Sequence, residues 1–155
     1  MLSEEERKEI EEVLSHYGGD AQAASVESLK ALQRRRGWVS DETLADLAGF
    51  LRLSMEDLES VATFYNLIFR RPVGRNIVLV CDSVSCWLMG YEHVSARLCE
   101  RLGIGFGETT EDGCFTLLPT VCLGDCDHAP VMMVNEDLHR DLEPETAAAI
   151  LDRYR

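Results

Sequence analysis

Six cysteines are the residues of this 155-residue chain best suited to metal or redox chemistry, and all of them lie in its second half. Four form two close pairs: four residues separate Cys81 from Cys86, and three separate Cys122 from Cys126. Four thiolates around one centre suit either a tetrahedral zinc ion or an iron–sulfur cluster. The pairing therefore predicts a metal centre held by Cys81, Cys86, Cys122 and Cys126.

The spacing within the pairs favours one kind of centre. Structural zinc sites usually use cysteines two residues apart, whereas the wider C-x4-C spacing of Cys81 and Cys86 recurs where two irons must be spanned. A thioredoxin-type dithiol requires a C-x-x-C motif, which the sequence lacks. The spacing thus favours a [2Fe-2S] cluster, with structural zinc as the main alternative and disulfide redox chemistry as the weakest.

Other residues near the pairs receive more ordinary interpretations. Cys99 lies on an apolar helical face and is expected to be a small buried hydrophobe, and Cys114 is interpreted as a non-ligand thiol. His128 follows Cys126 closely, but a Rieske-type centre needs two histidines, so a surface or supporting role is expected. Trp87 is expected either to shield the cluster from water or to belong to the core.

The second half of the chain is predicted to position the cysteines with alternating strands and helices. The β-branched run Asn76 to Cys81 predicts a strand, and Asp112-Gly113 predicts a two-residue hairpin. Each cysteine pair then lies at the carboxyl end of a strand. The remaining predicted elements are a helix from about Trp87 to Leu102, a second hairpin over 130–142 and a helix from Pro144 to Tyr154. Together they predict an α/β sandwich whose sheet is covered by two helices.

The first half of the chain reads as four short helices. Ser3, Ser40 and Ser54 are suitable N-caps for three of them, and a further helix is predicted from about Ala21 to Arg36. Apolar residues recur at helical spacing in each segment. We therefore expect a small N-terminal helical bundle at residues 1–72, followed by an α/β domain at residues 73–155, which gives a mixed α and β fold class.

Composition excludes several function classes. The chain carries 28 acidic against 15 basic residues, a net charge of −13 that would repel phosphate backbones, so no nucleic-acid partner is expected. No apolar run approaches the roughly 18 residues of a membrane span, and the N-terminus resembles no signal peptide. The sequence predicts a soluble, cytoplasmic protein without direct membrane insertion.

Several motifs match a known family. Cys81 and Cys86 with Gly90-Tyr91, the segment from Gly113 to Cys126, and Ala129-Pro130-Val131-Met132-Met133 closely resemble the thioredoxin-like [2Fe-2S] subunits, designated E, of NADH:quinone oxidoreductase, respiratory complex I. In the helical half, Arg36-Gly37-Trp38-Val39 and Val61-Ala62-Thr63-Phe64-Tyr65 resemble the family's N-terminal signatures. The resemblance covers nearly the whole chain.

The resemblance implies a fold, a cofactor and a role. It implies a helical N-terminal domain and a thioredoxin-like ferredoxin domain whose [2Fe-2S] ligands are Cys81, Cys86, Cys122 and Cys126. It further implies that the chain is a subunit of the NADH dehydrogenase enzyme, without catalytic residues of its own, which exchanges single electrons with the FMN of a partner flavoprotein. That flavoprotein subunit, designated F, also binds NADH, and other subunits of the peripheral arm are expected neighbours.

The resemblance also leaves related assemblies open. Equivalent diaphorase subunits occur in NAD-linked formate dehydrogenases and hydrogenases, although the Leu117-Leu118-Pro119-Thr120 stretch favours complex I. A protein-interaction module stabilised by a structural zinc ion is the remaining alternative. In complex I the chain would lie in the soluble arm on the cytoplasmic side, peripheral to the inner membrane.

Overall fold

The computed structural model describes residues 1–155, and the chain divides into two compact units, Met1–Pro72 and Val73–Arg155. The first unit contains only helices, and the second combines helices with a four-stranded sheet. This confirms the expected mixed fold class, with a helical first half and strands confined to the second. No helix has both the length and the apolar character needed to cross a membrane.

The first unit consists of four helices: α1 Glu4–His16, α2 Ser25–Arg36, α3 Asp41–Leu51 and α4 Met55–Phe64. Ser3 and Glu6 form a reciprocal capping box at the start of α1. Helix α2 begins four residues later than expected because the Asp20 carboxylate accepts hydrogen bonds from the backbone of Gln22 and Ala23, which holds residues 21–24 in turns. Apolar side chains from all four helices share one core, including Ile10, Leu29, Leu32, Leu44, Leu47 and Leu58.

The second unit is built on the strands β1 Asn76–Cys81, β2 Phe115–Thr120, β3 Met132–Val134 and β4 Asp137–His139, arranged in the order β2-β1-β3-β4. Strands β1 and β2 are parallel, and β3 pairs antiparallel with both β1 and β4. Three helices accompany the sheet: α5 Val84–Leu88, α6 Tyr91–Leu102 and α7 Pro144–Ile150. Buried side chains from β1, β2, β3, α6 and α7 form the main core of this unit.

Four of the predicted elements of the second unit differ from the structure. The helix expected from Trp87 to Leu102 is two helices, because Gly90 adopts a φ of 108° that ends one helical path before the next begins. The Asp112-Gly113 hairpin shrinks to a single bridge between Thr109 and Thr116, and β2 instead forms its full ladder with β1. The second hairpin is shorter than predicted, and the last helix ends in a 3-10 turn from Leu151 to Tyr154.

Candidate metal centre

Parallel strands bring the two cysteine pairs to one edge of the sheet. Cys81 is the last residue of β1, and Cys122 follows the end of β2 by two residues. The register pairs Cys81 with Thr120, so both strands end at the same edge. Segments that are distant in sequence therefore meet where the carboxyl ends of the two strands open into loops.

The second member of each pair lies on a short helical segment. Cys86 is in α5, directly after the loop that leaves β1, and Cys126 begins a 3-10 helix from Cys126 to His128. The Sγ atoms of Cys122 and Cys126 are 3.3 Å apart, and the backbone N–H of Gly124 donates to Cys122 Sγ at 3.3 Å. The loop thus turns both sulfurs of the second pair toward one point.

The two pairs differ in exposure. Cys81 and Cys86 are each 1% exposed and pack with Ala129 and Val131 in a small cluster of their own. Cys122 and Cys126 are exposed to solvent. A centre held by all four sulfurs would therefore have one side embedded in the protein and one side at the surface.

Within each pair, one thiol favours ionisation and the other resists it. Burial acts to raise the pKa of Cys81, but hydrogen bonds from Ser83 and from the backbone of Leu123 hold that pKa below the usual thiol value. Burial, and then the neighbouring Cys81, raise the pKa of Cys86 to about 11. The same asymmetry recurs in the second pair.

In the exposed pair, burial is not the main cause of the difference between the pKa values of the two thiols. The N–H of Gly124 and the thiol of Cys126 lower the pKa of Cys122, whereas interaction with Cys122 raises the pKa of Cys126. Two adjacent thiolates repel each other, so the second thiol of a pair is harder to ionise than the first. The positive charge of a metal centre would offset that repulsion and allow every coordinating thiol to be deprotonated.

The arrangement of sulfurs as two pairs matches the donor set of a two-iron cluster. Such a cluster has two irons, each held by two protein ligands, so it requires two sulfur pairs that face a common centre. The structure shows no group of three or more His, Cys, Asp or Glu side chains that is arranged to hold a metal ion. The residues present fit a [2Fe-2S] cluster by donor type and number.

Charged and apolar side chains surround the pairs. Asp125 lies between the ligand positions of the second pair, and its carboxylate forms an ion pair with Arg140, just beyond β4. His128 Nδ1 lies 3.1 Å from the Asp141 carboxylate. Trp87 is 55% exposed, so the core role considered for it is wrong.

The two remaining cysteines lie elsewhere in the second unit. Cys114 is 1% exposed within the main core, where its sulfur is 3.7 Å from Asn76 Nδ2. Cys99 is only partly buried, although it packs against the same core as expected. Neither joins a pair.

No sequence pattern predicts that two further residues, Ser83 and Arg140, lie next to the centre. Ser83 Oγ lies 3.2 Å from Cys81 Sγ, and Arg140 reaches back to the ligand loop. The serine is visible in the sequence as part of the segment between Cys81 and Cys86, but its contact depends on how α5 begins. The β3–β4 hairpin is predicted from the sequence, but no local pattern predicts that it brings Arg140 against the ligand loop.

A family model described as thioredoxin-like [2Fe-2S] ferredoxin matches residues 10–155. The chain is 49% identical to a subunit, designated E, of the NADH-quinone oxidoreductase of Pseudomonas aeruginosa over 154 residues, which cover 99% of this chain and 92% of the relative. The corresponding subunit of Escherichia coli strain K12 gives the same identity and the same coverage.

A solved structure resembles a large part of the chain. The crystal structure of an NAD+-reducing [NiFe]-hydrogenase in the H2-reduced state superposes with a TM-score of 0.70 and 25% identity. The match covers 81% of this chain but only 22% of the longer hydrogenase chain. The similarity therefore concerns one part of that larger protein.

Proposed function

The chain belongs to the thioredoxin-like [2Fe-2S] ferredoxin family, and we propose that it is the electron-transfer subunit of an NADH-quinone oxidoreductase. The resemblance predicted from the cysteine motifs is confirmed by the family match and by the NADH-quinone oxidoreductase relatives. Membership implies a [2Fe-2S] cluster, which supplies a one-electron acceptor and donor when bound. We further propose that Cys81, Cys86, Cys122 and Cys126 are its ligands.

The single observation that supports this function best is the meeting of both cysteine pairs at the edge where β1 and β2 end. The embedded pair anchors the centre in the protein, and the exposed pair leaves one side open to a neighbouring redox group. Electron transfer requires such proximity but no substrate pocket. The chain then needs no acid or base of its own.

Apolar side chains around the centre support docking of a partner. Five large hydrophobic side chains near the pairs are more than half exposed: Val84, Trp87, Leu88, Met89 and Val121. Exposed apolar residues concentrated in one region mark a surface that another protein covers. We propose that the partner is the flavoprotein subunit of the complex, which carries FMN and NADH, and that covering this surface also excludes water from the cluster.

Placement in the assembly follows from the same proposal. As a subunit of this kind, the chain would lie in the peripheral arm with other arm subunits, on the cytoplasmic side of the inner membrane. The alternative, a diaphorase role beside an NAD+-reducing hydrogenase, is supported by the structural match. The coverage favours the first assembly, since the chain spans 92% of the NADH-quinone oxidoreductase relative and 22% of the hydrogenase chain.

The electron-transfer role is tested by supplying NADH to the purified holoprotein with and without the flavoprotein subunit. We expect bleaching of the cluster's visible absorption only in the mixture, because this chain has no hydride-accepting group. Reduction of the isolated chain by NADH, or no reduction in the mixture, would contradict the proposal. Replacing the complex I flavoprotein with the flavoprotein of a hydrogenase distinguishes the two assemblies.

The ligand assignment is tested by cysteine variants with internal controls. Replacing Cys81, Cys86, Cys122 or Cys126 with Ala is expected to reduce the iron content sharply, because one of the two irons would lose one of its two protein ligands. Cys99→Ala and Cys114→Ala are the matched controls and should retain the full iron and sulfide content. A control that lost its iron while remaining folded, as judged by circular dichroism, would overturn the assignment.

A further inference from the structure

Four serines in this chain occupy the N-cap of a helix with nearly the same backbone conformation. Ser3, Ser40, Ser54 and Ser83 all have φ between −68° and −74° and ψ between 155° and 168°. In the first three, the hydroxyl accepts a hydrogen bond from the third backbone N–H of the helix, at 3.0–3.2 Å. This is the ordinary use of an N-cap serine.

Ser83 departs from that pattern. Its hydroxyl makes no capping hydrogen bond to α5, although its backbone is placed to allow one. Instead, Ser83 Oγ lies 3.2 Å from Cys81 Sγ. In the other three serines, the same backbone conformation lets the hydroxyl accept a hydrogen bond from the helix. The orientation of the Ser83 hydroxyl toward the sulfur therefore needs a reason beyond helix capping.

The surroundings of Cys81 provide that reason. Cys81 is 1% exposed, so water does not solvate its sulfur, and a buried thiolate requires donors from the protein. The Ser83 hydroxyl, 3.2 Å from the sulfur, is such a donor.

We propose that Ser83 is a positioning residue that donates its hydroxyl hydrogen to the Cys81 sulfur and thereby raises the midpoint potential of the cluster. The inference rests on the proposed function, since it requires the cluster to be present. Reduction adds one electron to the cluster and increases the negative charge on its sulfurs. A hydrogen bond to a ligand sulfur stabilises the reduced form more than the oxidised form.

The test compares variants that keep or remove the hydroxyl. Ser83→Ala removes it, and the pair Ser83→Thr and Ser83→Val has matched size and differs chiefly in having a hydroxyl or a methyl group. Ser54→Ala is the control, because it removes an N-cap serine that does cap its helix, in the other unit. Each holoprotein is titrated with dithionite under argon, and reduction is followed by EPR.

We expect Ser83→Ala and Ser83→Val to reduce the equilibrium constant for one-electron reduction about tenfold, which corresponds to a potential lower by about 59 mV. Ser83→Thr and Ser54→Ala should remain near the parent value. Equal potentials in all variants with intact clusters would overturn the inference.

The remaining outcomes also decide whether the Ser83 hydroxyl acts on the cluster. If Ser83→Ala and Ser83→Val lose the cluster while Ser83→Thr retains it, the hydroxyl holds a ligand sulfur, as proposed. If Ser83→Thr also loses the cluster, the hydroxyl is not the determining group and the inference fails. Iron and sulfide analysis of the parent protein separates this question from the proposed function. A parent chain that binds no two-iron cluster refutes both, whereas an intact parent cluster with an unchanged Ser83→Ala potential refutes only the role of Ser83.

Discussion

At the scale of single residues, one ion pair lies directly next to the proposed cluster ligands. Asp125 lies on the loop between Cys122 and Cys126, and its side chain is only 15% exposed. Arg140 neutralises much of its charge. An added electron on the cluster would be repelled by the carboxylate and attracted by the guanidinium, so the two residues are expected to shift the midpoint potential in opposite directions.

Replacing Asp125 with Asn should raise the midpoint potential, and replacing Arg140 with Gln should lower it, each by roughly 50 mV for one charge near the protein surface. The measurement is an EPR-monitored redox titration of the holoprotein. Glu136→Gln is the control, because this carboxylate lies in the β3–β4 turn at the opposite end of the sheet. Potentials that move in the same direction in both variants would contradict this electrostatic account.

At the scale of elements, close backbone packing fixes where β1 begins. A Cβ added to Gly74 would lie 2.8 Å from the backbone carbon of Phe115, at the start of β2. The Gly74 N–H also donates to Thr116 Oγ1 at 2.6 Å. Gly74 therefore allows the chain to enter β1 directly beside β2, the pairing that brings the cysteines together.

The change Gly74→Ala should destabilise the second unit by about 1–3 kcal/mol, because backbone rather than a flexible side chain must move. Gly49→Ala is the contrasting control: Gly49 lies in α3, is exposed, and a Cβ there would meet nothing within 4 Å. That control should stabilise its helix by up to about 1 kcal/mol. Urea unfolding measures the stability of both variants. A Gly74→Ala variant with unchanged stability would show that β1 enters the sheet by another route.

An ion pair connects the beginning of α1 to the end of α2. Arg36 donates to both Glu6 carboxylate oxygens, at 2.6 and 2.8 Å, and Glu6 is 7% exposed. The hydrogen bonds from Arg36, opposed in part by burial, lower the pKa of Glu6 from 4.5 to about 2. Because the folded-state pKa is below the unfolded-state value, the stabilisation is complete above pH 4.5 and is lost as the pH falls toward 2.

This ion pair predicts an acid-sensitive first unit. The free energy of unfolding should fall by about 3 kcal/mol between about pH 5 and pH 2 owing to Glu6. In Glu6→Gln most of that loss should be absent, with lower stability already present at neutral pH. Urea titrations followed by Trp38 fluorescence measure this, and an identical pH dependence in parent and variant would count against the assignment.

At the scale of the whole molecule, the two units have separate hydrophobic cores, and each unit contains one of the two tryptophans. Trp38 lies in the first unit, and Trp87 lies beside Cys86 in the second. A metal centre that binds only the folded state stabilises the unit that holds it. The tryptophans therefore report on each unit separately.

Removing the cluster should lower the denaturant midpoint reported by Trp87 while leaving that reported by Trp38 unchanged. The measurement uses the full chain with Trp38→Phe or Trp87→Phe, so that a single tryptophan remains, before and after anaerobic treatment with a chelator. If both midpoints shifted together, the two units would unfold as one and the proposed domain division would be wrong.

Local sequence patterns predict much of this molecule, and tertiary contacts determine the rest. Serine N-caps and helical spacing predict the four N-terminal helices, and cysteine spacing alone indicates the candidate ligands. The break at Gly90 escapes prediction because apolar spacing continues across it. The Asp112-Gly113 motif overestimates its hairpin, since the preceding segment pairs with β2 through a single bridge between Thr109 and Thr116. The contacts of Ser83 and Arg140 with the ligand loops require the folded chain.

The central claim is that the four paired cysteines hold a two-iron cluster that carries electrons. The most direct test is to purify the whole chain anaerobically, measure iron, acid-labile sulfide and zinc per chain, and record an EPR spectrum after reduction with dithionite. We expect two irons, two sulfides and an S = 1/2 signal. One zinc per chain and no iron, even after anaerobic reconstitution, would contradict it and make the chain a zinc-stabilised interaction module.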